Sequence, residues 1–365
     1  MVFDYIDGAA GEELTARRNR AAFQHVLLKP EVLVDVSTRS SRTRLFGQDV
    51  AMPLVIGPTG LNGAAWGHGD LCIARVAARA NIPFVMSTAA TVGMREMDAA
   101  AGRLRWFQLY MLKDRGLATE FLKQIASYRF DVLQLTVDTA VGGRRNRDIR
   151  NGFTLPFRWT MANLVDAARH ARWALQMARH GVPTLKVFAD LLGGAAQGST
   201  ISDVMQQQIS ASFSWSDIQW LREQWDGKLV LKGLTTPTHA RLAREVGADG
   251  AVVSNHGGRQ LDGAGSTIEM LPAFRESAHD MTVLIDSGFR TGVDIAKAIA
   301  LGADGVQLGR ATLYGLAAKG EPGVARALEI LGHEFDLAIA LCGARTVEEM
   351  RGRYTISESR HLSEL

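Results

Sequence analysis

Eight short apolar runs, each followed by a turn and then a helical pattern, constrain this chain more than any other feature. They are Pro53–Gly57, Pro83–Ser87, Leu104–Leu109, Val132–Val137, Leu229–Lys232, Gly250–Ser254, Val283–Asp286 and Gly305–Leu308. Strands that alternate with helices pair in parallel through right-handed crossovers. Strands apolar along their whole length belong to a sheet covered on both faces. Two units repeat each other, Val246-Gly-Ala-Asp-Gly-Ala-Val-Val and Leu301-Gly-Ala-Asp-Gly-Val-Gln-Leu, each after a helix that stops at glycine. The pattern predicts an α/β fold, a (β/α)8 barrel. A doubly wound sheet is the alternative, but it needs a strand-order switch and usually a glycine fingerprint after the first strand. Gly57-Pro-Thr-Gly is not one.

Polar residues gather just after these runs. Pro58-Thr-Gly follows the first, Thr88 the second, Tyr110 the third, Asp138 the fourth, Asn255-His-Gly-Gly-Arg the sixth and Ser287-Gly-Phe-Arg the seventh. Barrel enzymes place their chemistry at the carboxyl ends of the strands, often with phosphate on the last two loops. One connection breaks the rhythm, from Asp138 to Leu229. Excursions of this size serve as lids or partner-binding elements. Its helical stretch is expected as one helix, Met161–His180, with Met161, Leu164, Val165, Ala168 and Leu175 at helical spacing. Arg158, Arg169, Arg172 and Arg179 accompany Trp159 and Trp173, and the apolar run Val187-Phe-Ala-Asp-Leu-Leu-Gly-Gly follows. Two readings stay open: a surface helix packed on the barrel or a neighbouring subunit, or an interfacial membrane helix with arginine and tryptophan at headgroup level.

The chain has 365 residues, a length at which α/β barrels still run as one domain. It is read as a single barrel domain over 1–365 with an insertion over about 142–215. A net charge of +3 and no dense Lys/Arg block exclude a nucleic-acid partner. Cys72 and Cys342 stand alone, with neither disulfide nor metal-ligand spacing. Met1-Val-Phe-Asp-Tyr has no basic n-region, and no apolar run reaches the ~18 residues of a spanning helix. A cytoplasmic enzyme is expected.

The stretch Ser254-Asn-His-Gly-Gly-Arg-Gln-Leu-Asp262 is the most informative. A histidine and an arginine three residues apart on a Gly-Gly turn can direct one base and one cation into the same pocket. Oxidation of a 2-hydroxy acid needs both, the base for a proton and the guanidinium for the carboxylate. A capped turn with a solvent-facing His and Arg is the plainer alternative. Together with Asp4-Tyr5 and Leu308-Gly-Arg-Ala-Thr-Leu-Tyr-Gly315, the string makes the chain resemble the FMN-dependent L-2-hydroxy-acid dehydrogenase and oxidase family over nearly its whole length. Within it, Gly57-Pro-Thr-Gly-Leu-Asn-Gly-Ala and Leu284-Ile-Asp-Ser-Gly-Phe-Arg look most like the mandelate-oxidising branch.

The resemblance implies roles residue by residue. His256 would be the base, taking either the α-proton or the hydroxyl proton, with Asp138 as its carboxylate partner. Arg259 would hold the substrate carboxylate, Arg145 would approach the substrate from the long loop after the fourth run, and Tyr5 and Tyr110 would bond the carboxylate or hydroxyl. Lys232 would lie beside flavin N1 and O2, and Pro58, Thr59, Gly60, Ser87, Gln108, Thr136 and Ser254 would line the isoalloxazine. Asp286, Ser287, Gly288, Arg290, Gly309 and Arg310 would hold the ribityl chain and phosphate. The cofactor expected is FMN and the partners a small (S)-2-hydroxy acid and a quinone or similar electron acceptor. A homotetramer and peripheral contact with the inner membrane face are expected on the same ground.

Three departures from the family pattern stand out. The helix that usually precedes Asp4-Tyr5 is not in this sequence. Ala89 stands where glycolate oxidases have tryptophan, which frees volume for a phenyl group, and Gly60 stands where oxidases mostly have alanine. Glycine there goes with poor use of oxygen. The alternatives are an oxidase or L-lactate dehydrogenase of the same family, or a non-redox FMN barrel such as an isopentenyl diphosphate isomerase, which would need basic residues for a diphosphate.

Overall fold

In a computed structural model the chain is described over residues 1–153, 160–192, 209 and 211–356. Eight parallel strands close into a barrel. They are β1 (Leu54–Ile56), β2 (Phe84–Ser87), β3 (Arg105–Tyr110), β4 (Val132–Thr136), β5 (Lys228–Leu234), β6 (Gly250–Val253), β7 (Thr282–Ile285) and β8 (Gly305–Leu308). Each pairs with its neighbour in sequence, and β8 pairs with β1 through Val306–Leu54, Gln307–Val55 and Leu308–Ile56. All eight apolar runs became barrel strands, with ends shifted by a residue or two.

The two-residue period of a strand divides these residues between two cores. Val55, Val85, Trp106, Val132, Val230, Val252 and Leu284 point inward and form one cluster. A hairpin, Thr43–Leu45 against Gln48–Val50, plugs it from the amino-terminal end with Leu45 and Val50. Their neighbours, such as Leu54, Ile56, Phe107 and Leu135, point outward under the helices. Towards the carboxyl ends of seven of the strands the inward positions become polar: Ser87, Gln108, Gln134, Lys232, Ser254, Asp286 and Gln307, while β1 has Gly57 there. The barrel interior is therefore oily at its base and polar towards the carboxyl ends of the strands. Gln134 and Gln307 bond to each other in that polar layer.

The excursion after β4 departs from expectation. Met161–His180 is two helices, Met161–Arg169 and Ala171–His180, broken at His170 (φ −116°, ψ 54°). The His170 Nδ1 lies 2.8 Å from the Asp166 carbonyl, the one its own backbone N–H would need, and that N–H bonds Ala167 O instead. The second helix docks on the loop after β1. Trp173 Nε1 donates to Ala64 O at 2.8 Å, and Arg172 lies over the Trp66 ring. The apolar run forms a third helix, Lys186–Leu192, whose Val187, Phe188 and Leu191 are buried in the barrel's outer core. Trp173, Val187, Phe188 and Leu191 are thus spent inside the protein, whereas Arg172 stays exposed over the Trp66 ring. Arg158, Trp159, Gly193 and Gly194 lie outside the described residues.

Candidate active site

A cavity of about 550 Å³ opens at the carboxyl ends of the strands. The chain reaches it where strands end and tight turns begin. His256 follows β6 in a turn with three successive left-handed residues, His256 (φ 57°), Gly257 (φ 67°) and Gly258 (φ 75°). For a histidine that conformation is strained, and such strain persists only where neighbours enforce it. Here Ser254 Oγ accepts the His256 backbone N–H at 3.0 Å, and Asn255 caps Gly258 N.

His256 Nδ1 lies 2.9 Å from Asp138 Oδ1, which leaves Nε2 as the ring nitrogen free to exchange a proton. Burial opposes the charge of Asp138, but the His256 ring and the Lys232 cation overcome it and hold the carboxyl below its usual range. Gly233, at a bulge in β5 (φ 111°), permits this packing, since a Cβ there would sit 2.7 Å from Asp138 Cβ. A carboxylate held anionic behind an imidazole fixes its orientation and stabilises its protonated form.

Arg259 lies one turn beyond His256. Its guanidinium donates to Tyr5 O at 2.7 Å and Gly8 O at 2.8 Å and stacks over the Tyr5 ring. Burial, then the nearby Arg145, lower its pKa, and among the described residues no carboxylate pairs with it. A half-buried cation with no carboxylate against it favours an anionic ligand. Arg145 approaches from the β4 loop, held by Asp148 at 2.7 Å, and its guanidinium also lies over the Tyr5 ring. Tyr5 itself sits on a short helix, Val2–Asp7, and stacks on Phe153. Tyr110 ends β3 at the cavity wall, and burial pushes its hydroxyl pKa well up, so it stays a donor.

Lys232 Nζ lies 3.1 Å from Asp286 Oδ2 and 2.9 Å from Ser254 Oγ. Burial works against its charge, but Asp286 and Asp138 more than offset that. At the far end, Ser287 (φ 79°) and Gly288 (φ 92°) turn the chain, and Gly309 caps the helix Arg310–Lys319. Consecutive backbone N–H groups, a helix amino terminus and two arginines at one end of the cavity could hold a phosphate. Arg290 lines it directly, whereas the Arg310 fork is bound to Ile6 O, Gly257 O and Gly8 O, and burial takes its pKa down to about 10.

Of the residues expected at the site, Pro58, Thr59, Gly60, Ser87 and Lys232 line the cavity, as do Asp286 to Gly288, Arg290, Gly309 and Arg310. Tyr5, Tyr110, Arg145, His256 and Arg259 line it too. Gln108, Thr136, Asp138 and Ser254 stand behind the wall: Gln108 braces Ser87 at 3.1 Å and Ser254 braces Lys232. Sequence reasoning missed Gln307, Phe153, Leu185 and Leu313. Only Gln307 carried a signal, as an inward-facing polar residue of β8.

A planar, amide-rich ring with a phosphate tail fits this cavity. Thr59 Oγ1 and Gln307 Oε1 on its wall, and Gln108 Nε2 behind it, are buried without partners among the described residues. Buried polar groups are almost always satisfied, so these await a ligand.

Comparisons with known proteins agree. A family model described as FMN-dependent dehydrogenase matches residues 1–357. The chain is 43% identical over 361 residues to an (S)-mandelate dehydrogenase of Pseudomonas putida, covering 98% of this chain and 90% of that one. It is 41% identical over 352 residues to an L-lactate dehydrogenase of Caulobacter sp. (strain K31), covering 96% and 92%. Among solved structures it resembles the monotopic membrane protein (S)-mandelate dehydrogenase, at TM-score 0.93 and 43% identity over 98% and 95% of the two chains. A mandelate oxidase bound to (S)-2-phenylpropionate is similar at TM-score 0.82 and 32% identity, over 98% and 94%.

Proposed function

Since this chain belongs to the FMN-dependent 2-hydroxy-acid dehydrogenase family, we propose that it oxidises (S)-mandelate or a close aryl relative to the 2-keto acid. The observation that carries this reading is the paired absence of bulk at Gly60 and Ala89, beside His256 and Arg259 on one cavity. The two positions nearly touch, for a Cβ at Gly60 would lie 2.8 Å from Ala89 Cβ. Leu185 and Phe153 give the same cavity apolar walls for a phenyl ring.

In this reading Arg259 and Arg145 bind the substrate carboxylate, and Tyr110 donates to a carboxylate or hydroxyl oxygen. His256 Nε2 takes a proton from the substrate, and Asp138 stabilises the resulting imidazolium. Lys232 holds a positive charge at the polar end of the ring site. FMN, when bound, supplies the two-electron acceptor. The oxidised product leaves as the 2-keto acid, and the electrons pass on to a quinone or similar carrier.

A substrate comparison tests the assignment. The parent is expected to have a higher kcat/KM for (S)-mandelate than for L-lactate, and Ala89→Trp is expected to reverse that order by filling the aryl space. A parent that prefers lactate would make this a lactate dehydrogenase of the same family.

We also propose peripheral membrane contact and a homotetramer. Among the described residues no helix is long and apolar enough to cross a membrane. Met161, Leu164 and Val165 are exposed on one face of their helix, with Leu175 exposed on the next and Arg169 and Arg179 exposed beside them. Each arginine would contribute about 1 kcal/mol near an anionic surface, and salt screens that attraction. Co-sedimentation with anionic vesicles is expected at low salt and is expected to weaken at high salt. Protein left wholly in the supernatant at low salt would assign these residues to a subunit interface instead.

A further inference from the structure

Asp70 is a carboxylate that the chemistry above does not use, and it is only 1% exposed. It opens the helix Gly69–Arg79. Burial raises its pKa and hydrogen bonds act against that, and among the described residues no cation pairs with it. Those bonds come from two different barrel loops. Asn62 Nδ2, after β1, donates to Oδ1 at 2.8 Å. Thr91 N and Oγ1, after β2, donate to Oδ2 at 3.0 Å and 2.6 Å.

The same two loops are laced together around this point. Asn62 Nδ2 also reaches Thr59 O at 3.2 Å, Leu61 N donates to Ala89 O at 3.0 Å, and Gly63 N donates to Thr91 Oγ1 at 3.1 Å. The excursion joins them where Lys186 N donates to Ala90 O at 3.0 Å, next to the cavity residue Leu185. Two walls of the cavity, Thr59-Gly60 and Ala89, therefore hang from one buried acceptor, and Leu185 is tied to them through Ala90. An apolar residue at position 70 would leave the partly buried Thr91 N–H without its acceptor, which costs more than the bond itself contributes.

We propose that Asp70 is a positioning residue, which sets the separation of the loops carrying Gly60 and Ala89 and thereby the room left for the substrate's side chain. This rests on the reading that those two residues flank the flavin and the aryl group. The spacing has no slack, given the close approach of Gly60 to Ala89. Misplacement on the ångström scale is enough to cost about a hundredfold in rate when reacting groups must align.

The test compares D70A, T91V and D70N with the parent holoenzyme, by kcat/KM for mandelate and lactate and by the visible circular dichroism of bound FMN. T91V keeps the backbone donor and removes only Oγ1, so it serves if D70A fails to fold. D70A and T91V are expected to lower the mandelate-to-lactate ratio by about tenfold, on the order set by small misalignments, and to alter the flavin dichroism. D70N is expected to restore most of both. Its oxygen can keep both Thr91 bonds, and its new amide can donate to Asn62 Oδ1, which has no partner among the described residues of the parent, once the Asn62 amide turns over and gives up Thr59 O. An unchanged ratio and dichroism with only a lower Tm would make Asp70 a structural acceptor and overturn the proposal. If the parent oxidises neither acid, the substrate reading fails, while the dichroism of the variants still decides the role of Asp70.

Discussion

Replacing His256 with glutamine is expected to leave FMN bound but to slow its reduction by (S)-mandelate by several orders of magnitude. Loss of a general base alone costs roughly 10²–10⁴-fold. Here the same ring also holds the end of the Asp138 carboxylate at 2.9 Å, so the substitution changes the partner of that carboxylate as well. Glutamine can still donate to Asp138 and keep the turn, which separates loss of the base from collapse of the site. Stopped-flow absorbance of the flavin band checks it. Near-normal reduction would mean that another residue takes the proton.

The second large effect is expected at Arg259. Truncating one partner of a buried, hydrogen-bonded charge pair costs roughly 2–5 kcal/mol. Arg259→Met should therefore raise the mandelate requirement steeply, from tens-fold to thousands-fold at about 1.4 kcal/mol per decade. The guanidinium also holds Tyr5 O and Gly8 O, so part of the loss would come from the amino-terminal segment that carries Tyr5. Arg259→Lys, which keeps the charge but loses the fork, should fall between the two. Steady-state kinetics with mandelate and with mandelamide separates these contributions. If the parent oxidised the amide as well as the acid, carboxylate recognition would be the wrong account of Arg259.

The barrel was legible because its signal is carried by whole strands. Each apolar run needs burial on both sides, and the eight of them with their helices leave one closed arrangement. The polar ends were legible too, since the period of two turns inward-facing residues such as Lys232 and Asp286 from apolar to polar at a fixed height. What could not be read was set by tertiary contacts. The break at His170 comes from a side chain that takes a carbonyl from its own helix, while the apolar spacing runs on unbroken across it. Trp173 and Val187-Phe188 look alike whether they face lipid or protein, and only docking on Ala64 and the outer core decided for protein. Asp70 reads locally as an acid in the first turn of a helix, favourable there on dipole grounds alone. Its link between two loops appears only once β1 and β2 lie side by side.

The central claim is that one cavity binds FMN and passes to it two electrons from a 2-hydroxy acid. Anaerobic addition of (S)-mandelate to the purified yellow protein tests this most directly, with the flavin spectrum followed and air admitted afterwards. The account predicts rapid bleaching by the S enantiomer, none by the R enantiomer, slow reoxidation in air and fast reoxidation by an added quinone. A flavin that stays oxidised with every small 2-hydroxy acid tried would contradict it.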